Sequence, residues 1–253
     1  MKDLILNGHK VRIYDDIDEL PMVRFHRYNH MVLVDAGIGS DLSDFDGHIE
    51  RVVRYIRKGE NENAAKEMEN MRQNVFNILQ GQSVKDLSFA CLVAEIDGTP
   101  QTDISQEGLM KVVELLGGAP RKELADAYQS AKKKIDDALV LYFPSLFDDV
   151  TVREYYDIMK RLTMVTLKMV EGETEELKAE RERLRERLVL YHKPKTYTGH
   201  DGLEVKHDKE YEAMCISITK ETGKDAKLMT VQEFYAAYEY IQEKLRKAQN
   251  KAR

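Results

Sequence analysis

No apolar run in this 253-residue sequence approaches the roughly 18 residues that a membrane-spanning helix needs, so no membrane role is expected. The N-terminal MKDLILNGHK reads as too polar and too short for a signal peptide. Cysteine is scarce. Cys91 and Cys215 lie far apart in apolar helical patterns and read as reduced core thiols, which suits a cytoplasm. Tryptophan is absent, against 13 Tyr and 11 Met. Positive charge does not dominate: the net charge is -6, so the surface as a whole is not built for nucleic acid. The usual nucleophiles are missing too. No serine sits in a G-x-S-x-G elbow, and neither cysteine has a polar constellation around it. No enzyme activity and no cofactor are expected.

What is present is helical periodicity behind a short β element. Residues 4–14, LILNGHKVRIY, break at Asn7-Gly8 and predict a hairpin of residues 4–6 against 11–14. An acidic turn follows at 15–19, closed by Pro21. Residues 22–36 read as a short helix and then a strand, or as strand throughout, because Val32, Leu33 and Val34 favour strand. Helices are expected at about 42–58, 61–80, 84–96, 105–116, 120–142, 151–170, 173–191 and 208–221, and again from 230. Ser40 or Asp41, Ser83 and Ser105 are their expected caps, and Thr230 with Glu233 forms a capping box. The helix at 42–58 sets Leu42, Phe45, Ile49, Val52, Val53 and Ile56 on one face. Its neighbour does the same with Ala64, Ala65, Met68, Met71, Val75, Ile78 and Leu79, and the short connection makes the two partners. The helix at 84–96 is apolar nearly all round and belongs at the centre of a bundle. Residues 97–100 read as a loop, and 192–208 as one long polar loop. The expected fold class is mainly α: a helical bundle with a small N-terminal β-hairpin or strand element and a protruding charged helix. The chain divides at about residue 145 into 1–145 and 146–253, with no flexible linker between them.

Gly37-Ile38-Gly39 ahead of a helix invites a nucleotide-binding reading. Asp41, Asp44 and Asp46 would repel a phosphate there, and neither a third glycine nor a P-loop lysine is in place, so a tight turn is expected. His26 and His30 are four apart and would share a metal on a helix, but no third ligand is evident. His200, Asp201, His207 and Asp208 gather in the polar loop. No stoichiometric metal is expected at either group. The charged helix at 173–191 pairs acid and base at i, i+3 and carries a narrow apolar seam. It reads as a solvated helix, or as an arm docking on a partner chain through Leu177, Leu184 and Leu188. The terminal KLRKAQNKAR, with Lys244, Arg246, Lys247, Lys251 and Arg253, fits the negative end of a helix dipole better than a nucleic-acid contact.

The run DELPMVRFHRYNHMVLVDAGIGSDLSDFDGHIERVVRYIRKG (18–59), with ENMRQNVFNIL at 69–79, resembles uncharacterised proteins from the structural gene modules of tailed phages and prophages of gut Bacteroidetes. The segment MTVQEFYAAYEY, from Met229, is similar to short proteins of phage tail modules. The resemblance spans mainly residues 18–145. It carries no catalytic motif and transfers no site residue. It implies a non-enzymatic virion or assembly protein: a head–tail connector, a tail component or a tail assembly chaperone. Its place would be the virion or the bacterial host cytoplasm, and its partners other phage structural proteins and further copies of itself. The alternatives are a metal-dependent enzyme using the His200–His207 loop, and a packaging or regulatory factor touching nucleic acid through the basic C-terminus.

Overall fold

The computed structural model describes residues 1–81, 83–147, 150–191, 194–197 and 199–251. Ten α-helices are found among the described residues. They are α1 (Met22–Gly37), α2 (Leu42–Arg57), α3 (Asn61–Leu79), α4 (Val84–Leu92), α5 (Gln106–Leu116), α6 (Arg121–Tyr142), α7 (Val150–Glu171), α8 (Glu175–Tyr191), α9 (Leu203–Thr222) and α10 (Val231–Lys251). The protein is mainly α, with a four-stranded antiparallel sheet at its N-terminal end.

The sheet grows from two tight turns. β1 (Lys2–Leu6) and β2 (His9–Ile13) pair with Leu6 opposite His9. Asn7 at φ 52° and Gly8 at φ 80° supply the two positive-φ positions that a two-residue hairpin turn requires. Asp97 at φ 50° and Gly98 at φ 77° repeat the device between β3 (Val93–Ile96) and β4 (Thr99–Pro100). β3 lies against β2, giving the order β1-β2-β3-β4. Here the sequence reading is corrected: residues 93–96 are strand, not the end of a helix. The cause is Arg24, which is buried and donates from Nη1 to the carbonyls of Cys91 (3.1 Å) and Val93 (2.9 Å). Tyr14 N–H takes the Leu92 carbonyl at 2.8 Å. Carbonyls that would continue the helix are spent on these donors, and the chain leaves into the sheet.

Residues 22–37 are helix throughout, against the expected strand. Met22, Phe25, Tyr28 and Met31 are all buried and recur every third residue, so packing of that face overrides the local preference of Val32, Leu33 and Val34. The expected caps are in place. Asp41 accepts from Asp44 N–H, Ser83 from Asp86 N–H, and Ser105 from Gly108 N–H. Thr230 and Glu233 bond each other's backbone reciprocally.

One hydrophobic cluster joins the sheet, α1, α4, α5, α6, α9 and α10. Tyr211, Cys215, Ile218, Val231 and Phe234 lie in it beside Phe25 and Phe89, so the core crosses the boundary drawn at residue 145. Both cysteines are free and buried, and burial pushes the Cys91 thiol up to about 12. Two helical hairpins, α2/α3 and α7/α8, stand outside this core with small clusters of their own.

The α7/α8 hairpin corrects the partner-contact expectation. Leu184, 1 % exposed, and Leu188 pack on Ile158 of α7, beside Tyr155, Leu162 and Val165, while Leu177 is half-buried. The charged helix does not present Leu184 and Leu188 to another chain. A short connection folds it back, and the apolar stripe of α7 covers its seam. Arg161 to Glu180 (2.8 Å) ties the pair, and Arg54 of α2 reaches Glu182 at 2.9 Å.

Candidate functional site

Two places gather unusual chemistry. The first is the histidine cluster between α1 and α9. His26 and His30 are one turn apart on α1. His207 and Asp208 belong to α9, which starts at Leu203, and not to a loop as the sequence suggested. His26 Nε2 donates to Asp208 at 2.9 Å, and His30 Nε2 to Glu204 at 3.0 Å. The two groups that the sequence kept separate therefore meet. Among the described residues, His26, His207 and Asp208 form a cluster of metal-ligand type, while His200 lies exposed beside Asp201.

The ring geometry decides what this cluster does. The His26 ring is stacked between His207 (centroids 4.5 Å, 7° between planes) and Tyr211 (3.9 Å, 10°). An imidazole nitrogen binds a metal in its ring plane. Parallel rings offer lone pairs in separate planes, so no single ion is met by both without rotating one ring out of the stack. Burial lowers the pKa of His26, which Asp208 only partly offsets. Burial and the neighbouring His26 and His30 lower that of His207. The arrangement is a stacked, hydrogen-bonded clasp between α1 and α9.

The second place is the α2/α3 hairpin, built around the Gly37–Asp41 turn. The Ile38 carbonyl accepts from His48 Nε2 (2.8 Å) and Asn74 Nδ2 (3.0 Å), and the Gly39 carbonyl from Asn77 Nδ2 (3.0 Å). Asn70 reaches the Lys195 carbonyl at 3.2 Å. Glu67 Oε1 lies 2.7 Å from His48 Nδ1 and accepts from Arg51 Nε. Burial opposes the charge on Glu67, but His48 and Arg51 outweigh it and hold the carboxyl below its usual range. The chain's own carboxylates occupy the start of α2: Asp41 caps Asp44 N–H in its first turn, and Asp44 Oδ2 accepts from Ser40 N–H just ahead of the helix. The turn is a structural hub, and the anion position of the nucleotide reading is already filled from within.

This polar packing inverts the hairpin. The side facing the body carries Asn70, Asn74 and Asn77 on α3, while His48 and Tyr55 of α2 are buried toward the turn and α3. The apolar stripes that the sequence assigned to mutual packing point the other way. On α2, Leu42 (70 % exposed), Ile49, Val53 and Ile56 are exposed; on α3, Met68, Val75, Phe76 and Leu79 (77 %) are. Helical spacing puts both stripes on the same side of the antiparallel pair, as one continuous face. Sequence periodicity found these positions, Phe76 apart, but not their exposure. The signal available was the row of asparagines at 70, 74 and 77, which marks a second, polar face needing carbonyl partners.

Asp35, near the end of α1, is one of several residues with a buried polar atom left without a hydrogen-bond partner among the described residues, as are His207 and Tyr211 in the histidine cluster; in Asp35 the atom is Oδ1. Burial raises its pKa to about 6, Lys85 opposes the rise, and Asp44 and Asp41 add to it. Because the folded value exceeds the ordinary aspartate value of 3.8, the folded state holds the extra proton between them, and stability falls as pH rises through that window. Asp35→Asn is expected to stabilise the protein by on the order of 2 kcal/mol at pH 7.5, with the gain vanishing near pH 4. Urea unfolding of both proteins across pH 4–8 checks this; a gain that does not shrink on acidification refutes the assignment. Glu67 works with opposite sign, losing its contribution as pH falls below about 4.5, and cancels in the comparison.

At the C-terminus, Lys244 pairs with Glu221 and Lys247 with Glu243, so two of the basic residues are engaged in-chain; Arg253 lies outside the described residues. No helix among the described residues is long and apolar enough to cross a membrane. Comparison with protein-family models, curated proteins and solved structures finds no match to this chain.

Proposed function

We propose that this chain is a non-enzymatic virion or assembly protein of a tailed phage or prophage, working through protein–protein contact as a head–tail connector, tail component or tail assembly chaperone. The observation that carries the reading is the exposed apolar face of α2/α3. Large continuous apolar faces on folded proteins mark interaction surfaces. Residues 42–57 and 69–79, which build much of this face, fall within the stretches resembling phage structural-module proteins. The buried polar hub behind the face fits the same role: it fixes the hairpin rigidly so that its apolar side is presented rather than collapsed.

The test is co-purification of the tagged chain with the products of adjacent genes, expressed one by one. The expected result is stable capture of a portal, tail-tube or tape-measure type product, lost in Phe76→Asp with Leu79→Asp. Failure to capture any neighbouring product, or capture unaffected by the double substitution, overturns the reading.

A further inference from the structure

We infer that the α2/α3 face is a two-fold interface between two copies of this chain, closing into an antiparallel four-helix bundle with one hairpin from each copy. This names a partner within the assembly reading and rests on it. The first support is area. The eight exposed apolar side chains of the face present on the order of 800 Å² per copy, which matches the share each partner contributes to a standard stable interface.

The second support is charge. Two charges of opposite sign flank the stripe on α2, Asp46 in its first half and Arg57 at its end, whereas Asp44, Glu50, Arg51 and Arg54 are engaged in-chain with Ser40 N–H, Arg185, Glu67 and Glu182. Parallel pairing of α2 with α2 would set like charges together. Antiparallel pairing about a two-fold axis sets Asp46 of each copy toward Arg57 of the other. Asp46 and Arg57 are both exposed and, by helical spacing, lie at the same rim of the apolar stripe. A two-fold operator also makes the contact isologous, so one self-complementary surface serves both copies, and capture of a neighbouring product is then a property of the dimer. The geometry is that of two-hairpin bundles, in which every neighbouring pair of helices runs antiparallel.

The experiment is sedimentation equilibrium of the purified full chain, with thermal unfolding as a check on folding. The expected species is a dimer of twice the 29.3 kDa chain mass. Phe76→Asp with Leu79→Asp should give a folded monomer. Asp46→Arg alone and Arg57→Asp alone should each raise the dimer dissociation constant about tenfold, since each places two like-charge pairs in the interface, and the two together should restore it. A wild-type monomer overturns the inference, as does a dimer indifferent to Phe76→Asp/Leu79→Asp. Failure of the double charge reversal to restore association overturns the antiparallel α2 pairing. A monomer still captured by a neighbouring gene product through this face sinks self-pairing and leaves the assembly reading standing; a monomer capturing nothing sinks both.

Discussion

Replacing Gly39 with valine is expected to lower the unfolding free energy by about 3 kcal/mol. Gly39 sits at φ +70°, a conformation that a β-branched side chain adopts only with strain. A Cβ there would also lie 2.3 Å from Asp44 Oδ2. Asp44 cannot step aside freely, because that oxygen accepts from Ser40 N–H at the entrance to α2. The damage spreads, since the carbonyls of Ile38 and Gly39 anchor His48, Asn74 and Asn77. Gly37 is required for a different reason. It is helical, not at positive φ as expected from sequence, and a Cβ on it would fall 1.8 Å from the ring of Tyr197. Gly37→Val should therefore expel Tyr197 and expose the segment carrying the Lys195 carbonyl. Urea unfolding checks both variants. A Gly39→Val protein within 1 kcal/mol of the parent would show that the turn does not organise the hairpin.

Leu184→Ser is expected to cost about 3 kcal/mol, but locally. Leu184 is buried against Ile158 in a cluster separate from the main core, so the α7/α8 hairpin should open while the body stays folded. Hydrogen exchange measured by segment distinguishes the two. Protection should fall across 154–188 and persist in α1, α4 and α9. Leu177→Ser, at a half-buried position near the hairpin tip, should cost less than 1 kcal/mol. Unchanged exchange in α7 and α8 after Leu184→Ser would return these leucines to the role of partner contacts.

These two regions show how far the sequence carried. Turn and cap chemistry was legible because it is local: Asn7-Gly8, Asp41, Ser83, Ser105 and the Thr230/Glu233 box each act within a few residues. Periodicity picked out the apolar stripes of α2 and α8 and most of that of α3, though it missed Phe76 and included Ala64, which packs on Tyr55. It was silent on what covers each face, which depends on partners distant in sequence. The seam of α8 proved covered by α7, while the stripes of α2 and α3 proved bare because buried asparagines had taken the inner side. The strand at 93–96 was illegible because four apolar-rich residues have no period of their own, and the arginine that ends α4 lies 67 residues upstream of Cys91. The histidine cluster was half visible. The i, i+4 pair on α1 was plain, but the groups that engage it arrive on α9.

The wedging of His26 between His207 and Tyr211 bears on how the chain acquires its shape. That contact closes a loop of about 180 residues, and the Met22 N–H to Met229 carbonyl bond and the Val231 N–H to Leu20 carbonyl bond close loops longer still. Contacts of such separation form late and slow the search. During synthesis the sheet, α1 and α4 emerge first, yet the face of Phe25 that meets Tyr235 stays uncovered until α10 has left the ribosome. The body is thus completed only once α10 has been made. A chain whose core waits for α10 has a built-in order: the two hairpins, held by local contacts, form early, and the platform that orients them locks once α10 arrives.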